Sequence, residues 1–299
     1  MSGQPCERCS PRRSTVSVRP YVILDVFTDV PLEGNQLAVF TDGSGLEAGL
    51  MQRAARELNL SETVFVFAPD DGEADARVRI FTPAVELPFA GHPVLGTAFV
   101  LGEREGLETV RLHTGSGVVP VTLQRTDGRV TFGEMVQPIP TWESLDCAEE
   151  VLAALGIERS ALPVELYDNG ARFAYVALDS EEQLAGLAPY MGALARLGQF
   201  GVSCLAGSGS RVKVGMFGPA LGVDEDPATG SAAGPLAVHL ARHGRVRYGQ
   251  PIELRQGAEI GRPSVLQATA EGSAERVERV LVGGGAVIVA RGEYLLDPA

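Results

Sequence analysis

Short apolar runs of strand length and longer apolar stretches of helix length alternate along this chain. Residues 21–27 (Tyr-Val-Ile-Leu-Asp-Val-Phe) are a compact run of β-formers and predict a strand. Residues 46–58 read as a helix by composition and spacing, and Val64 to Phe67 follows at once as a strand. Arg77 to Phe81 alternates as another strand. Pro93 to Leu101 is apolar almost all round, which predicts a helix buried on every side. Residues 118–125 and 129–136 flank Asp127-Gly128, a turn pair that predicts a hairpin.

After Pro138 and Pro140 the pattern starts again. Helices are expected at 149–155 and 181–187, strands at 173–178 and 212–217, and a second apolar helix at 235–243. Strands at 276–282, 286–290 and 293–296 close the chain. Ile80-Phe81-Thr82-Pro83-Ala84 aligns with Met216-Phe217-Gly218-Pro219-Ala220, and each is followed by a glycine-containing turn and an apolar helix. Such a repeat predicts two similar domains facing across a pseudo-twofold cleft. The expected boundaries are 18–138 and 139–289, with the last strand, about 290–299, returning to the first domain. Residues 1–17 read as a polar, disordered extension.

Charge narrows the classes of partner. The net charge is −13 and the pI about 4.8, a field that repels nucleic acid and anionic lipid. No apolar run reaches the ~18 residues of a membrane span. No apolar segment follows Arg12-Arg13, so neither a secretory nor a twin-arginine signal is indicated, and a cytoplasmic enzyme is expected. The 36 glycines fit a β-rich fold with many turns. Cys6-x-x-Cys9 lacks a second ligand pair. His239 and His243 have helical spacing but only Leu-Ala-Arg between them, without the glutamate of a metalloprotease helix. No metal is expected.

Three segments carry candidate chemistry. In Asn59-Leu60-Ser61-Glu62-Thr63-Val64-Phe65 a carboxylate sits between a helix end and an apolar strand, where burial would lift its pKa toward neutrality. Glu86-Leu87-Pro88-Phe89-Ala90-Gly91-His92-Pro93 places glycine and histidine at a helix start, where backbone amides can meet an anion. Asp224-Glu225-Asp226-Pro227-Ala228-Thr229-Gly230-Ser231 opens the other apolar helix in the same way. Blander readings exist for each: a surface glutamate, a capping histidine, acids that only cap a helix. The loop has neither the lysine of a P-loop nor a G-x-G-x-x-G turn, so a phosphate cofactor is unsupported. Two helix starts, each contributing ~0.3–1 kcal/mol in the open, can hold a small carboxylate without arginine.

Taken in order, Asp25-Val-Phe-Thr, Gly34-Asn35-Gln-Leu-Ala-Val, Leu60-Ser-Glu-Thr, Arg79-Ile-Phe-Thr-Pro, Glu86-Leu-Pro-Phe-Ala-Gly-His-Pro and Glu225-Asp-Pro-Ala-Thr-Gly-Ser-Ala resemble the phenazine-biosynthesis PhzF-like family. The resemblance spans 21–240, with Val282-Gly-Gly-Gly-Ala-Val similar to the family's closing strands. It implies an α+β, diaminopimelate-epimerase-like fold. In that fold two similar domains each wrap a mixed sheet around a central helix, with the site between them. It implies a cofactor-independent isomerase in which Glu62 transfers the proton, assisted by His92 and Asp226. Gly91, Gly230 and Ser231 match substrate-binding positions, and Asn35 joins them as a candidate. The namesake reaction moves a proton between ring carbons of trans-2,3-dihydro-3-hydroxyanthranilate. A homodimer acting on a small carboxylate, without nucleic acid or membrane partners, is the corresponding expectation. Related epimerases use two cysteines, but neither Cys147 nor Cys204 lies in a matching motif. An epimerase or racemase on the same fold, or a non-catalytic binding protein, are the competing readings. The chain departs from the family in its N-terminal extension, in Gln36 where proline is common, and in Ala233 where a polar residue is frequent.

Overall fold

The computed structural model describes residues 17–70 and 72–296. The first half contains β1 (Ser17–Val26), β2 (Asn35–Phe40), α1 (Ala48–Leu58), β3 (Glu62–Phe67), β4 (Ala76–Phe81), β5 (Glu86–Leu87), α2 (Gly91–Glu105), β6 (Thr109–Thr114), β7 (Gly117–Thr126) and β8 (Arg129–Gln137). The second contains β9 (Thr141–Ser144), α3 (Ala148–Leu155), β10 (Glu165–Asp168), β11 (Arg172–Ala177), α4 (Glu181–Ala185), α5 (Met191–Leu197), β12 (Gly201–Ser208) and β13 (Arg211–Gly218). A 3₁₀ turn (Pro219–Leu221) then leads to β14 (Val223–Asp226), α6 (Gly230–Arg242), β15 (Ile252–Gln256), β16 (Ser264–Gly272), β17 (Val277–Gly284) and β18 (Ala286–Leu296).

The internal repeat is written in the strand pairings. In the first half β1–β2 is antiparallel, β2–β3 parallel, β3–β4 antiparallel, β4–β6 parallel, and β6–β7–β8 antiparallel. In the second half β10 through β17 repeat that order: β10–β11 antiparallel, β11–β12 parallel, β12–β13 antiparallel, β13–β15 parallel, β15–β16–β17 antiparallel. Phe81 ends β4 and Phe217 is the last residue but one of the equivalent β13, so the repeated segments fall at matching strand ends. The last strands of the two halves, β8 and β17, pair antiparallel across the pseudo-twofold, from Gln137↔Val280 to Gly133↔Gly284. These are two similar domains of a mixed α+β fold.

Each sheet wraps one helix. α2 is buried from Gly91 to Gly102 and packs on β1, β2, β3, β6, β7 and β8. α6 is buried from Gly230 to Ala241 and packs on β11, β16 and β17. Glycines on helix and strand let the two approach closely: a Cβ on Gly96 of α2 would come within 2.5 Å of Leu37, and one on Gly133 of β8 within 2.8 Å of Leu95. One continuous apolar core joins Leu24, Leu37 and Leu95 of the first half to Leu236, Leu254 and Val280 of the second.

Several boundaries differ from the sequence pattern for identifiable reasons. β1 begins at Ser17 because β18 pairs with it along its length, from Val26↔Ala286 to Ser17↔Leu296. The two closing strands expected at 286–290 and 293–296 are therefore one strand, and its register shift opposite Ile23/Leu24 is a bulge. Phe27, expected to end the first strand, instead has a left-handed backbone (φ 65°). Asp127 (φ 51°) and Gly128 (φ 81°) make the predicted hairpin turn. The second apolar helix starts at Gly230 rather than Pro235. Proline inside it removes the amide that would bond the Ser231 carbonyl, and Asn169 Nδ2 donates to that oxygen instead, at 3.0 Å. Residues 1–16 and 297–299, including Cys6 and Cys9, lie outside the described residues.

Candidate active site

Glu62 is delivered by the end of α1. Asn59 caps that helix in the left-handed region (φ 51°), its amide bonding the Ala55 carbonyl, and the chain then turns directly into β3. The helix is held down by Met51, Ala54 and Ala55, which pack with a cluster formed by Phe40, Phe65 and Phe81. Phe40 and Phe65 stack at 4.6 Å. Glu62, the first residue of β3, faces a cavity of about 550 Å³ lined from both halves of the molecule. Its Oε2 lies 3.2 Å from Nε2 of His92, the second residue of α2.

The two central helices begin against each other. A Cβ on Gly91 would fall 2.5 Å from the Ser231 amide nitrogen and 2.6 Å from the Gly230 carbonyl carbon. Conversely, one on Gly230 would sit 3.1 Å from the His92 nitrogen and 2.9 Å from the Phe27 ring. Glycine at both positions is what lets the amide-rich ends of α2 and α6 meet at one end of the cavity. Phe27, with its left-handed backbone, wedges between Gly230 and Gly284. Its amide donates to Gly285 O at 2.7 Å, and its carbonyl accepts from the Val265 amide at 2.8 Å.

Asp226, at the end of β14, is buried and fully engaged. Oδ1 accepts from Asn35 Nδ2 at 2.8 Å, and Oδ2 accepts from the Thr229 hydroxyl. Asn35 Nδ2 also donates to Ala228 O at 2.8 Å and lies 3.4 Å from His92 Nδ1. This asparagine is placed by the loop before β2, which Arg262 clamps through Asp25 Oδ1 (2.6 Å) and the carbonyls of Leu32, Glu33 and Gly34. Gln256 closes the arrangement by donating to Asp226 O at 2.7 Å and accepting from the Thr229 amide at 3.2 Å. Asn35→Ala leaves Asp226 Oδ1 and Ala228 O without their donor. Denaturant titration should show a loss of about 1–3 kcal/mol, and steady-state kinetics a fall in kcat/KM of about 10–100-fold.

Enclosure sets the protonation. Burial pushes the Glu62 carboxyl well above its ordinary value of 4.5, and the negative charge of Asp226 adds to the shift. Burial drives His92 down to about 3, opposed by a hydrogen bond with the Gln36 backbone. Burial also raises Asp226, against the hydrogen bonds from Thr229 and Asn35. Burial thus disfavours the charged imidazole, so the 3.2 Å approach of Glu62 Oε2 to His92 Nε2 is not an ion pair at pH 7. A carboxyl raised in this way is chemically able to take and to return a proton closer to neutral pH than an exposed glutamate can.

The sequence model of the phenazine biosynthesis-like (PhzC-PhzF) family matches residues 24–292. The chain belongs to this family. It is 51% identical over 276 residues to trans-2,3-dihydro-3-hydroxyanthranilate isomerase of Pseudomonas fluorescens, covering 92% of this chain and 99% of that protein. Among solved structures it is similar to a PhzF-family phenazine biosynthesis protein of Bacillus anthracis, with TM-score 0.80 and 24% identity over 94% of this chain and 100% of that one. It is also similar to a predicted epimerase of Pseudomonas aeruginosa, with TM-score 0.80 and 34% identity over 93% and 99%. The protein is an enzyme of the isomerase class.

Within this PhzF-family fold, Glu62, His92, Asp226, Gly91, Gly230 and Ser231 all line the one cavity, although they come from β3, α2, β14 and α6. Asn35 does not line it and lies behind, holding Asp226 and facing His92. The sequence reading missed the residues that support the start of α6. Gln137 donates to Gly230 O (2.8 Å), Asn169 to Ser231 O, and Tyr175 Oη to Ala232 O (2.7 Å). The local signal available was Pro235 inside an apolar helix, which demands an outside donor one turn earlier. Among the described residues no helix is long and apolar enough to cross a membrane.

Proposed function

We propose that the protein moves a proton between two carbons of a small cyclic carboxylate of the trans-2,3-dihydro-3-hydroxyanthranilate type, with Glu62 as the single acid/base. The observation that carries this reading is Glu62 Oε2 at 3.2 Å from a neutral His92 Nε2, in the cavity shared by both helix starts. The substrate carboxylate rests on the first-turn amides of α2 and α6, with Gly91, Gly230 and Ser231 around it. Glu62, as carboxylate, removes a ring proton, and the electron pair of the broken C–H bond shifts into the conjugated system. The protonated Glu62 then hands the same proton to another ring carbon on the same face. Atoms and electrons balance without an oxidant, a metal or an organic cofactor. His92 Nε2 accepts from the protonated carboxyl and keeps it oriented, while burial, and after it the charge of Asp226 locked by Asn35 and Thr229, holds the Glu62 pKa up. General acid–base catalysis of this kind contributes about 10²–10⁴-fold, with positioning supplying more.

The test is turnover of trans-2,3-dihydro-3-hydroxyanthranilate in D₂O, followed by absorbance and mass. Consumption with part of the substrate's own protium retained at the new carbon supports transfer by one base. No consumption removes this substrate. The similarity to a predicted epimerase favours one second reading, in which an α-proton exchanges with solvent and the absorbance does not change. Because abstraction needs the carboxylate, kcat/KM should rise with pH through a limb lying well above 4.5, the ordinary value for Glu62. A limb at 4.5 or below would remove Glu62 as the base.

A further inference from the structure

At the far end of α6 from the cavity, a second polar cluster is enclosed. Glu165, the first residue of β10, places Oε2 at 3.3 Å from His239 Nδ1 and 3.0 Å from His243 Nε2. The three ligand atoms lie within 4.8 Å of one another. The Tyr167 hydroxyl is 3.2 Å from His239 Nδ1 and 3.1 Å from Glu165 Oε2. The sequence between the two histidines offers no carboxylate; the fold brings one from another strand.

We propose that His239 Nδ1, His243 Nε2 and the Glu165 carboxylate form a structural zinc site, with the Tyr167 hydroxyl or a water at the fourth corner. Two imidazoles and one carboxylate are a ligand set that zinc accepts. Ligands at about 2.0–2.1 Å in a tetrahedron stand about 3.3 Å apart, close to the observed spacings. The ligands are also held in place. The His239 ring is stacked on Tyr175 at 5.4 Å and meets the edge of Tyr167 at 5.5 Å.

Arg242 is the competitor, with Nη1 2.8 Å from Glu165 Oε2 and Nη2 3.5 Å from Oε1. Its guanidinium also lies 4.2 Å over the Trp142 ring. Zinc on Oε2 leaves Arg242 on Oε1 and Trp142, where it orients the ligand carboxylate. The C-terminal end of α6 favours a cation there. The metal would tie this end of the helix to β10.

The test uses the full-length chain carrying Cys6→Ser and Cys9→Ser, so that no thiol pair in the N-terminal segment contributes. The protein is stripped with chelator, given zinc, desalted and measured by mass spectrometry for metal. About one zinc per chain is expected, with a rise in Tm of about 5 °C at a hundredfold excess over Kd. Cobalt(II) should give the visible absorption of a tetrahedral site, a readout that depends on no ligand variant. His243→Gln, a partly exposed position, and Glu165→Gln should each retain below about one-tenth of an equivalent. Absence of both zinc uptake and the cobalt spectrum would overturn the site and leave an Arg242-centred hydrogen-bond network. Retention of a full equivalent by either single variant would overturn the ligand assignment.

Discussion

Glu62→Gln is expected to abolish turnover, by about 10³-fold or more, while making the folded protein more stable at neutral pH. The first effect follows from the proposed role of Glu62 as the acid/base. The second follows from linkage. A carboxyl whose folded pKa is raised above its unfolded value binds more protons in the folded state between those two values. Stability therefore falls as pH rises through that window, and each unit of elevation costs about 1.4 kcal/mol. The Glu62 pKa is raised well above 4.5, so the wild type carries this burden at pH 7 and glutamine does not. Thermal unfolding of the two proteins from pH 4 to 8 should show Tm values that coincide at the acid end and separate, variant above wild type, as pH rises. A variant less stable than wild type at every pH would mean that the Glu62–His92 contact is structural.

Gly91→Ala should be nearly as damaging by a different route. The added methyl would meet the Ser231 amide and the Gly230 backbone at 2.5–2.8 Å, and backbone cannot swing aside as a side chain can. The starts of α2 and α6 must separate, which moves the amides and the His92 ring relative to Glu62. A displacement of about 1 Å costs about 10²-fold in rate, and overpacking costs about 1–3 kcal/mol. Measuring kcat/KM beside the urea midpoint checks both, and unchanged kinetics would show that the helix starts do not shape the site.

Much of this architecture is legible in the sequence because its determinants are local. α2 and α6 are apolar all round, so nothing but a central position suits them, and the turn at Asp127-Gly128 forces a hairpin. Glu62, His92 and Asp226 stand in short segments with their own chemical signature, and the structure places all three on the same cavity. What was not legible depends on distant pairing. β10 has only Glu-Leu-Tyr-Asp, too short to show a period, yet it supplies Glu165 and Tyr167 to the cluster at the end of α6. Gln137, Asn169 and Gln256 are amides at strand ends or beside them, a setting shared with many solvated residues. Their role is to satisfy particular carbonyls and hydroxyls of another element, and that pairing exists only after both sheets have closed.

The antiparallel register of β1 with β18 has a consequence for biosynthesis. Strand order makes the first and last described strands neighbours, and the partner of Ser17 is Leu296. A nascent chain emerging from the ribosome holds its first half with one edge of β1 unpaired until β18 has been made. The 11 residues of β18 that cover it are synthesised after every other described strand. Vectorial folding can therefore complete the second half's repeat before the first half's edge is sealed by β18.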